Sequence, residues 1–489
     1  MKKIITGGIF FASGALFSAC ADDSSKPNIV VLIADDISMN DFGCYGHPDI
    51  KTPNIDNLAK SGLRFTNVFL TASSSSPSRA SIITGRYPHN TGACELHTAM
   101  GDEQVFIPGA LQQEGYYTAQ AGKWHFSGGG DDFSGPVSNV FNRKGGDVKH
   151  GGGVSGSEMW VTYLKERPKD KPFFMWFAAH DAHRNWDDEV FLEKYKAEDV
   201  TVSEFYVDNI ASREDIAAYY NEVSRFDYYV GEVVKELKRQ RVFDNTFIVV
   251  MADNGRPFPR AKTRLIAEGI KTPFIISYPQ RIENEGDVCN SLVSIIDLAP
   301  TLVELSGGNT QPTFQGKSFV SLLKTPSKKF RDYVFAEHNW HDFEAYERMV
   351  CNGEYLLIEN QRPNLTAEGA IDVMGGGVGK SLKEAHNKNQ LNNLQNDIFI
   401  TPRADVELYN YIEDKEQINN ISSSNPKTRQ QLLDVLHQWQ VETSDSAPDE
   451  ITHDWYNRTD LQPSPNHGIR LEMPGVSNGA IRTNRSGHF

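Results

Sequence analysis

The chain has 489 residues, of which 39% are hydrophobic and 23% are charged, a composition typical of globular proteins. This length accommodates one large domain and a smaller one. The formal net charge is −15, from 49 basic and 64 acidic residues. The acidic balance argues against nucleic acid as a partner, because a phosphate backbone favours clustered Lys and Arg.

The first nineteen residues have the features of a secretory signal. Two lysines precede an apolar run over residues 4–17, which is too short to span a membrane in the mature protein. The sequence LFSAC that ends at Cys20 resembles a bacterial lipobox, and the acidic residues after it resemble the export tag of some surface lipoproteins. We therefore expect a signal peptide over 1–19, a lipidated tether over 20–26, and a lipoprotein of the outer membrane, periplasm or cell surface. The alternative is an ordinary signal followed by an incidental cysteine.

The remaining cysteines show no CxxC pair and no metal-type spacing. They are Cys44, Cys94, Cys289 and Cys351. An exported protein can form disulfides, but the sequence does not pair these residues. Burial as small hydrophobic side chains is the default expectation.

A series of apolar runs predicts the strands of a largely parallel sheet. Each run is continuous rather than alternating, as in strands that are buried on both faces. The runs cover residues 27–34, 173–179, 247–252 and 274–278. Helical patterns lie between them, most clearly at 55–61 and 217–240. Strands that alternate with helices predict a doubly wound α/β fold with helices on both sides of a mixed, mainly parallel sheet.

The alternation fades after about residue 345. Strands are predicted at 346–359 and 406–411, and a terminal helix at 428–442. We expect a large domain over 27–345 and a smaller C-terminal α+β subdomain over 346–489. Residues 125–157 are rich in Gly and polar side chains and predict a long loop over the sheet edge.

Polar residues follow three of the predicted strands. They are Asp35-Asp36, His180-Asp181 and Asp253-Asn254. In an open parallel sheet, ligands bind outside the carboxyl ends of the strands. One such carboxylate could be structural, but three sets at three strand ends predict a common functional crevice.

The most specific segment is residues 75–86, with the sequence SSPSRASIITGR. A Ser-rich turn that caps a helix is common by itself. The whole string resembles the signature of type I sulfatases, in which Cys or Ser, any residue, Pro, Ser and Arg lead into a Thr-Gly. This family belongs to the alkaline phosphatase superfamily.

The resemblance implies that Ser75 is oxidised to formylglycine, which hydrates to a geminal diol. One hydroxyl attacks sulfur, and the other expels sulfate by re-forming the aldehyde. A plain serine sulfate lacks this exit. The helix expected after Pro77 would turn its N–H groups toward the anion, and Arg79 would orient the formylglycine and its metal ligands. A serine precursor also implies an oxygen-independent maturase.

A calcium site is also implied by the resemblance. Its ligands would be Asp35, Asp36, Asp253, Asn254 and the residue at position 75. Oxygen ligands suit a hard cation such as Ca²⁺, and one ion per chain would hold a sulfate oxygen. Without the motif, the first carboxylate pair could cap a helix, and Asp-Asn-Gly would be a turn.

Cations and histidines complete the implied site. Lys123 and His125 resemble the family's Gly-Lys-x-His element, in which Lys grips sulfate and His takes the diol proton. His180 resembles the general acid for the leaving group, a role suited to imidazole near neutral pH. Lys262 has the spacing of the second sulfate-binding cation.

Within the sulfatases, the likeness is greatest to the sulfamidases, the N-sulfoglucosamine sulfohydrolases. The segments that carry it are HDAHR at 180–184, DNGRPFP at 253–259 and WQVET at 439–443. Lys262 and Ala182 replace an arginine and a proline of that group, so the sugar and the sulfated position, N- or O-linked, stay open. The implied partner is a sulfated oligo- or polysaccharide cut at chain ends. Candidates for contacts with sugar hydroxyls are His89, His97, His338 and His341, although each alone is more often a surface or loop histidine.

Two other functions are compatible with the sequence. One is a phosphatase or phosphodiesterase of the same superfold that uses unmodified Ser75, although such enzymes generally have two metals and more His and Asp ligands. The other is a lipid-anchored protein that binds sulfated glycans without cleaving them, which would apply if the host lacks the maturase.

Overall fold

A computed structural model describes residues 26–126, 133–146, 155–187, 192, 194–283 and 285–487. The predicted signal, Cys20 and most of the tether lie outside the described residues, as do parts of the predicted loop 125–157. In chain order the strands are β1 Asn28–Ala34, β2 Leu63–Phe65, β3 Val68–Phe69, β4 Tyr117–Gly122, β5 Arg143–Gly145, β6 Phe173–Ala178, β7 Thr246–Ala252, β8 Phe274–Ser277, β9 Asp287–Cys289, β10 Val293–Ser294, β11 Val334–His341, β12 Phe343–Cys351, β13 Tyr355–Asn360 and β14 Val406–Asn410. The α-helices are α1 Pro53–Ser61, α2 Ser75–Thr84, α3 Pro88–Thr91, α4 Ile107–Gln113, α5 Trp160–Glu166, α6 Ile210–Arg239, α7 Ala267–Ile270, α8 Leu298–Leu305, α9 Val320–Lys324, α10 Ile371–Gly375, α11 Gly377–Asn387 and α12 Pro426–Thr443.

The central sheet has eight strands in the order β5-β4-β6-β1-β7-β8-β2-β9. The five strands from β5 to β7 are parallel to one another. Strand β8 is antiparallel to both of its neighbours, although its apolar run resembles those of the parallel strands. A continuous apolar run reports burial on both faces and not strand direction, which explains this difference.

Helices cover both faces of the central sheet. Residues 29, 31 and 33 of β1 pack into a core with α2, α4 and α8, whereas residues 30, 32 and 34 pack into a second core with α1, α5 and α6. This split follows from the alternation of side chains along a strand. The predicted doubly wound α/β fold, mixed and mainly parallel, is confirmed.

A second sheet is antiparallel, with the order β11-β12-β13-β14. It begins at Val334, so it crosses the predicted boundary at 345/346, and the division into domains stays a prediction. The strand predicted at 346–359 is wrong as a single element, because residues 352–354 turn the chain between β12 and β13. One face of this sheet packs against α12 and the other against the segment around Leu265 and Ile270.

The four cysteines of the described residues are all free. Three of them are buried and Cys44 is half-buried, as expected for small hydrophobic side chains. Among the described helices, none combines the length and the apolar character that crossing a bilayer requires.

Candidate active site

Two adjacent aspartates at the end of β1 reach the same crevice. Asp35 and Asp36 are both completely buried. Neighbouring residues of a regular strand point to opposite faces, but Asp36 has a φ of 55°, in the left-handed region that few non-glycine residues adopt. This turn lets both carboxylates face one point. The ends of the neighbouring strands are joined to β1 by backbone hydrogen bonds, from Asp35 N to Asp181 O (2.7 Å) and from Asp253 N to Ala34 O (3.1 Å).

Ser75 is the first residue of helix α2, and all ten residues of this helix are buried. Its hydroxyl oxygen lies 3.1 Å from Asp35 Oδ1 and 2.9 Å from Asn254 Oδ1. The sequence motif predicted a helix after Pro77, and the helix in fact starts at Ser75, so Ser75 lies at the positive end of the helix dipole.

Arg79 lies one turn further along α2 and is completely buried. Its Nε donates to Asp253 Oδ2 at 2.8 Å, and its Nη2 lies 3.7 Å from Asp35 Oδ1. It therefore links the strand-end carboxylates to the helix that carries Ser75. Asp36 is held by two further donors, Asn254 Nδ2 at 2.6 Å and Lys262 Nζ at 2.8 Å.

The buried carboxylates differ in their affinity for protons. Burial, with help from neighbouring carboxylates, raises the pKa of Asp36 to about 7 and that of Asp253 to about 6, although Lys262 and Arg79 respectively oppose the shift. Burial would also raise the pKa of Asp35, but Lys123, His183 and Arg79 outweigh it and hold this pKa well below its usual range. Repulsion between like charges therefore remains at Asp36 and Asp253.

These carboxylates form a site that fits a divalent cation. Asp35, Asp36 and Asp253 each offer an oxygen, and the three atoms lie within 4.8 Å of one another. The Asn254 Oδ1 atom that accepts from Ser75 is a fourth oxygen close to the same point. Oxygen donors of this number and charge are those that hard cations take in proteins, and a cation here would relieve the repulsion.

Lys123 follows β4, and Gly122 makes its position possible. Gly122 has a φ of 93°, and a Cβ on it would lie 1.9 Å from the carbonyl oxygen of Ala178 on β6. No other residue fits this close approach. The ammonium of Lys123 is buried and donates to Asp35 Oδ2.

His125 and His97 lie next to this lysine. Nε2 of His125 is 2.9 Å from Nδ1 of His97, and the backbone N–H of His97 donates to the hydroxyl of Ser76 at 2.8 Å. Burial, followed by Lys123, lowers the pKa of His125 well below its usual value, so this imidazole is neutral at pH 7 and able to accept a proton. The structure thus brings His97 to the side of α2 that carries Ser75.

Lys262 has two carboxylate partners, Asp36 and Asp372, each 2.8 Å from its Nζ. Burial disfavours its charge, but the two carboxylates outweigh burial and raise its pKa. The sequence did not single out Asp372, which lies on the short helix α10, 110 residues after Lys262.

His183 is a second residue that the sequence did not assign. Its Nε2 lies 3.7 Å from Asp372 Oδ2 and 3.9 Å from Asp36 Oδ2. The spacing of His180 and His183 in the HDAHR segment was the available signal, but it did not show which imidazole meets the carboxylates.

His180 follows β6 and is half-buried. Its backbone N–H donates to Ser155 O at 2.8 Å, and a Cβ on Gly156 would lie 3.3 Å from its ring carbon Cδ2. It therefore stays in reach of solvent at the strand end, whereas His183 faces the buried carboxylates.

The other histidines have different positions. His341 Nδ1 is 2.7 Å from the hydroxyl of Ser74, next to the Ser75 position. His338 lies on the same strand and lines a pocket together with His341. The side chain of His89 is completely buried and its Nδ1 lies 2.6 Å from Glu337 Oε2, and its contact with a sugar stays a prediction. Its ring also packs edge-on against Trp439, so His89 joins α3 to the second sheet.

Comparisons with known proteins agree with this site. The sulfatase family model matches residues 27–308, and the model of the N-sulphoglucosamine sulphohydrolase C-terminal region matches residues 261–362. The chain is 29% identical over 470 residues to human N-sulphoglucosamine sulphohydrolase, covering 87% of this chain and 92% of that protein. It is 27% identical over 471 residues to an ulvan-active sulfatase of Formosa agariphila, covering 92% and 86%.

A solved structure shares the fold. A protein in complex with its substrate D-glucosamine-2-N,6-O-disulfate has a TM-score of 0.64 and 20% identity, covering 85% of this chain and 98% of that one. Because the sulfatase model matches more than half of the residues, the chain belongs to the sulfatase family. It is a hydrolase of the alkaline phosphatase-like fold, and one of the relatives it resembles is named an N-sulphoglucosamine sulphohydrolase.

Proposed function

We propose that this sulfatase hydrolyses a sulfated saccharide, and that its nucleophile is a hydrated formylglycine made from Ser75. The observation that carries the proposal is the position of the Ser75 hydroxyl at the start of α2, between Asp35 and Asn254 and beside three buried cations. The cations are Arg79, Lys123 and Lys262. This arrangement suits an anionic group at position 75.

Unmodified Ser75 would be a poor nucleophile in this setting. Among the described residues its hydrogen-bond acceptors are an amide oxygen and the carboxylate of Asp35, whose low pKa makes it a weak base. A geminal diol does not need a strong base to release sulfate in the second step. Re-formation of the C=O bond drives the breaking of the bond between this carbon and the sulfate oxygen. This difference favours the formylglycine enzyme over a phosphatase that uses serine directly.

The proposed reaction has two steps. One diol hydroxyl, ionised by loss of its proton to solvent, attacks sulfur while the bond between sulfur and the sugar oxygen or nitrogen breaks, and His180 gives a proton to the leaving group. His125 then takes the proton of the second hydroxyl, the aldehyde re-forms, and the bond between the former nucleophilic oxygen and carbon breaks to release sulfate. Water hydrates the aldehyde again. Lys123 and Lys262 bind the sulfate oxygens, and Arg79 holds α2 against the carboxylates.

We propose Ca²⁺ as the resident cation of the carboxylate site, held by Asp35, Asp36, Asp253, Asn254 and residue 75. The support is the all-oxygen donor set and the charge repulsion that remains in it. When bound, the ion supplies positive charge for the sulfate oxygens.

Mass spectrometry of the peptide that contains residue 75 tests the nucleophile. We expect a loss of two hydrogens relative to serine and capture of the residue by a hydrazide probe. The same preparation should release sulfate from at least one member of a panel of saccharides with defined N- and O-sulfates, and Ser75→Ala should release none. Sulfate release by a protein that carries only serine at position 75 would contradict the mechanism. An unmodified, inactive protein that still binds the panel would favour the non-catalytic alternative.

We also propose that the protein is exported, lipidated at Cys20, and acts on chain ends of the saccharide. The support is the signal-like segment, the lipobox resemblance and the family likeness. Metabolic labelling with a fatty acid should mark the wild-type protein and not Cys20→Ser. A ladder of intermediate products from a defined oligosaccharide would contradict the action at chain ends.

A further inference from the structure

A pocket next to the candidate site carries charge that the proposed reaction does not use. It lies between the start of the second sheet and the chain segment before α10, and its volume is about 40 Å³. Its lining includes Thr263 and His341. Thr263 follows Lys262 directly and donates its N–H to Ser73 O at 2.9 Å, and His341 bonds to Ser74. The pocket therefore begins at the residues adjoining the sulfate-binding groups.

The most informative side chain of this pocket is Arg264, which is only 4% exposed. Its Nε and Nη1 have no hydrogen-bond partner among the described residues. Its ion pair with Glu407 has an Nη2–Oε2 distance of 3.9 Å, which is too long for a hydrogen bond. Buried guanidinium donors are normally satisfied, and leaving them unpaired is costly.

Three further arginines line the pocket, but each has a close carboxylate partner. The pairs are Arg362–Glu344 at 2.6 Å, Arg403–Glu407 at 2.9 Å and Arg458–Asp454 at 2.7 Å. Glu407 also accepts from the hydroxyl of Tyr409 at 2.9 Å, so its charge is shared among several donors. Arg403 Nε also lacks a hydrogen-bond partner among the described residues, but Arg264 has two such nitrogens, and its described carboxylate partner is too far away for a hydrogen bond.

The other ionisable groups of the pocket do not cancel this positive charge. Burial lowers the pKa of His338 to about 3, so this imidazole is neutral at pH 7. Burial raises the pKa of Glu347, whose Oε2 also has no hydrogen-bond partner among the described residues. Glu347 also lines the pocket and opposes an anion there, and its raised pKa makes its negative charge less persistent than that of an ordinary glutamate.

We propose that this pocket is a second anion subsite, in which Arg264 binds a further sulfate or carboxylate group of the saccharide. The inference rests on the proposed function, and it restricts the substrate class to saccharides with at least two negative groups. The pocket is small, with a volume of about 40 Å³, and we expect it to take one such substituent and not a sugar ring. Planar guanidinium donors match both kinds of anion.

Equilibrium binding to the full-length Ser75→Ala variant tests the subsite without turnover. The ligands are matched pairs that differ by one negative group, beginning with D-glucosamine 2-N-sulfate and D-glucosamine 2-N,6-O-disulfate, followed by pairs with an added O-sulfate on galactose and pairs with and without a uronate carboxylate. We expect the more highly charged member of at least one pair to bind about 10- to 100-fold more tightly, as is typical of hydrogen bonds to a buried charge.

Substitution of Arg264 should remove this advantage. In the Ser75→Ala background, Arg264→Gln should bring the two members of the pair within about threefold of each other, and Arg264→Lys should keep part of the difference because it keeps the charge. Arg260→Gln is the matched control: Arg260 is 9% exposed and pairs with Asp397 at 2.6 Å outside the pocket, so the advantage should survive. Thermal melting identifies any variant that fails to fold. If Arg264→Gln does not fold, the affinities for the two members of a pair are compared in Arg264→Lys.

Three results would overturn the subsite. They are equal affinity within every pair, tighter binding of the more highly charged ligand that survives Arg264→Gln, and binding of no saccharide at all. Equal affinity combined with sulfate release from the less charged members by the matured enzyme would remove the subsite alone and leave the proposed function intact. The carboxylate and sulfate pairs show which anion the pocket takes.

Discussion

Replacement of Asp36 by Asn should make the metal-free protein more stable at alkaline pH. Asn has nearly the same shape as Asp, and its single side-chain oxygen can keep the hydrogen bond from Asn254 while the bond from Lys262 is lost. Lys262 keeps a second partner in Asp372 at 2.8 Å. The substitution therefore removes one buried charge without leaving Lys262 unpaired.

The size of this effect follows from the pKa of Asp36. Its ordinary value is 3.8, and the folded protein raises it to about 7. The folded state binds this proton more tightly than the unfolded state. Its contribution to the free energy of unfolding is therefore complete below pH 4 and is lost as the pH rises through 7. A shift of about 3 pH units corresponds to roughly 4 kcal/mol at pH 8, and roughly 3 kcal/mol of it is lost between pH 5 and pH 8.

Urea denaturation in the presence of a chelator, at pH 5 and pH 8, measures this difference. Wild-type protein should lose more stability than Asp36→Asn over this interval, and the variant should be the more stable of the two at pH 8. Calcium added at pH 8 should stabilise the wild type by mass action and the variant much less. Parallel pH dependences for the two proteins, or a variant that is less stable than wild type in chelator at pH 8, would refute the reasoning.

Three further substitutions test separate residues. Lys123→Met should lower kcat/KM for sulfate release roughly 100- to 1,000-fold, the usual result of removing a group that stabilises the transition state, and a loss below tenfold in steady-state assays would exclude a direct role. His180→Ala should reduce hydrolysis of sugar sulfates roughly 100-fold or more while aryl sulfates, whose leaving groups need less protonation, lose much less. Equal losses on the two substrates would instead place the acid elsewhere, with His183 as the next candidate. His89→Gln should lower the free energy of unfolding by about 1–3 kcal/mol, because Glu337 loses a buried partner, and should leave KM for the saccharide unchanged. A raised KM with normal stability would instead indicate that His89 contacts the saccharide.

The sequence predicts the central part of the fold well because burial on both faces leaves a strong signal. The runs that became β1, β6 and β7 are apolar throughout, and each is followed by polar residues that the parallel arrangement brings to one edge. The antiparallel direction of β8 carries no such signal, since strand direction depends on the connections on either side and not on which residues are buried.

The missed residues of the site come from segments without periodicity. Asp372 lies on a helix of five residues, too short to give a helical pattern, and meets Lys262 only through the packing of distant segments. His183 was visible in the sequence, but only the fold shows that its Nε2 lies 3.9 Å from Asp36 Oδ2. For His89, nothing in the sequence indicated its buried pairing with Glu337, because Glu337 lies 248 residues further along the chain.

The complete burial of helix α2 constrains the order of events in the life of the protein. Ser75 is 1% exposed, and every residue from Ser75 to Thr84 is enclosed by the folded chain. An enzyme that modifies Ser75 must hold the surrounding backbone in its own active site, and the native fold leaves none of this segment available. The proposed conversion of Ser75 to formylglycine is therefore expected to come before folding, and a polypeptide that folds first would keep its serine.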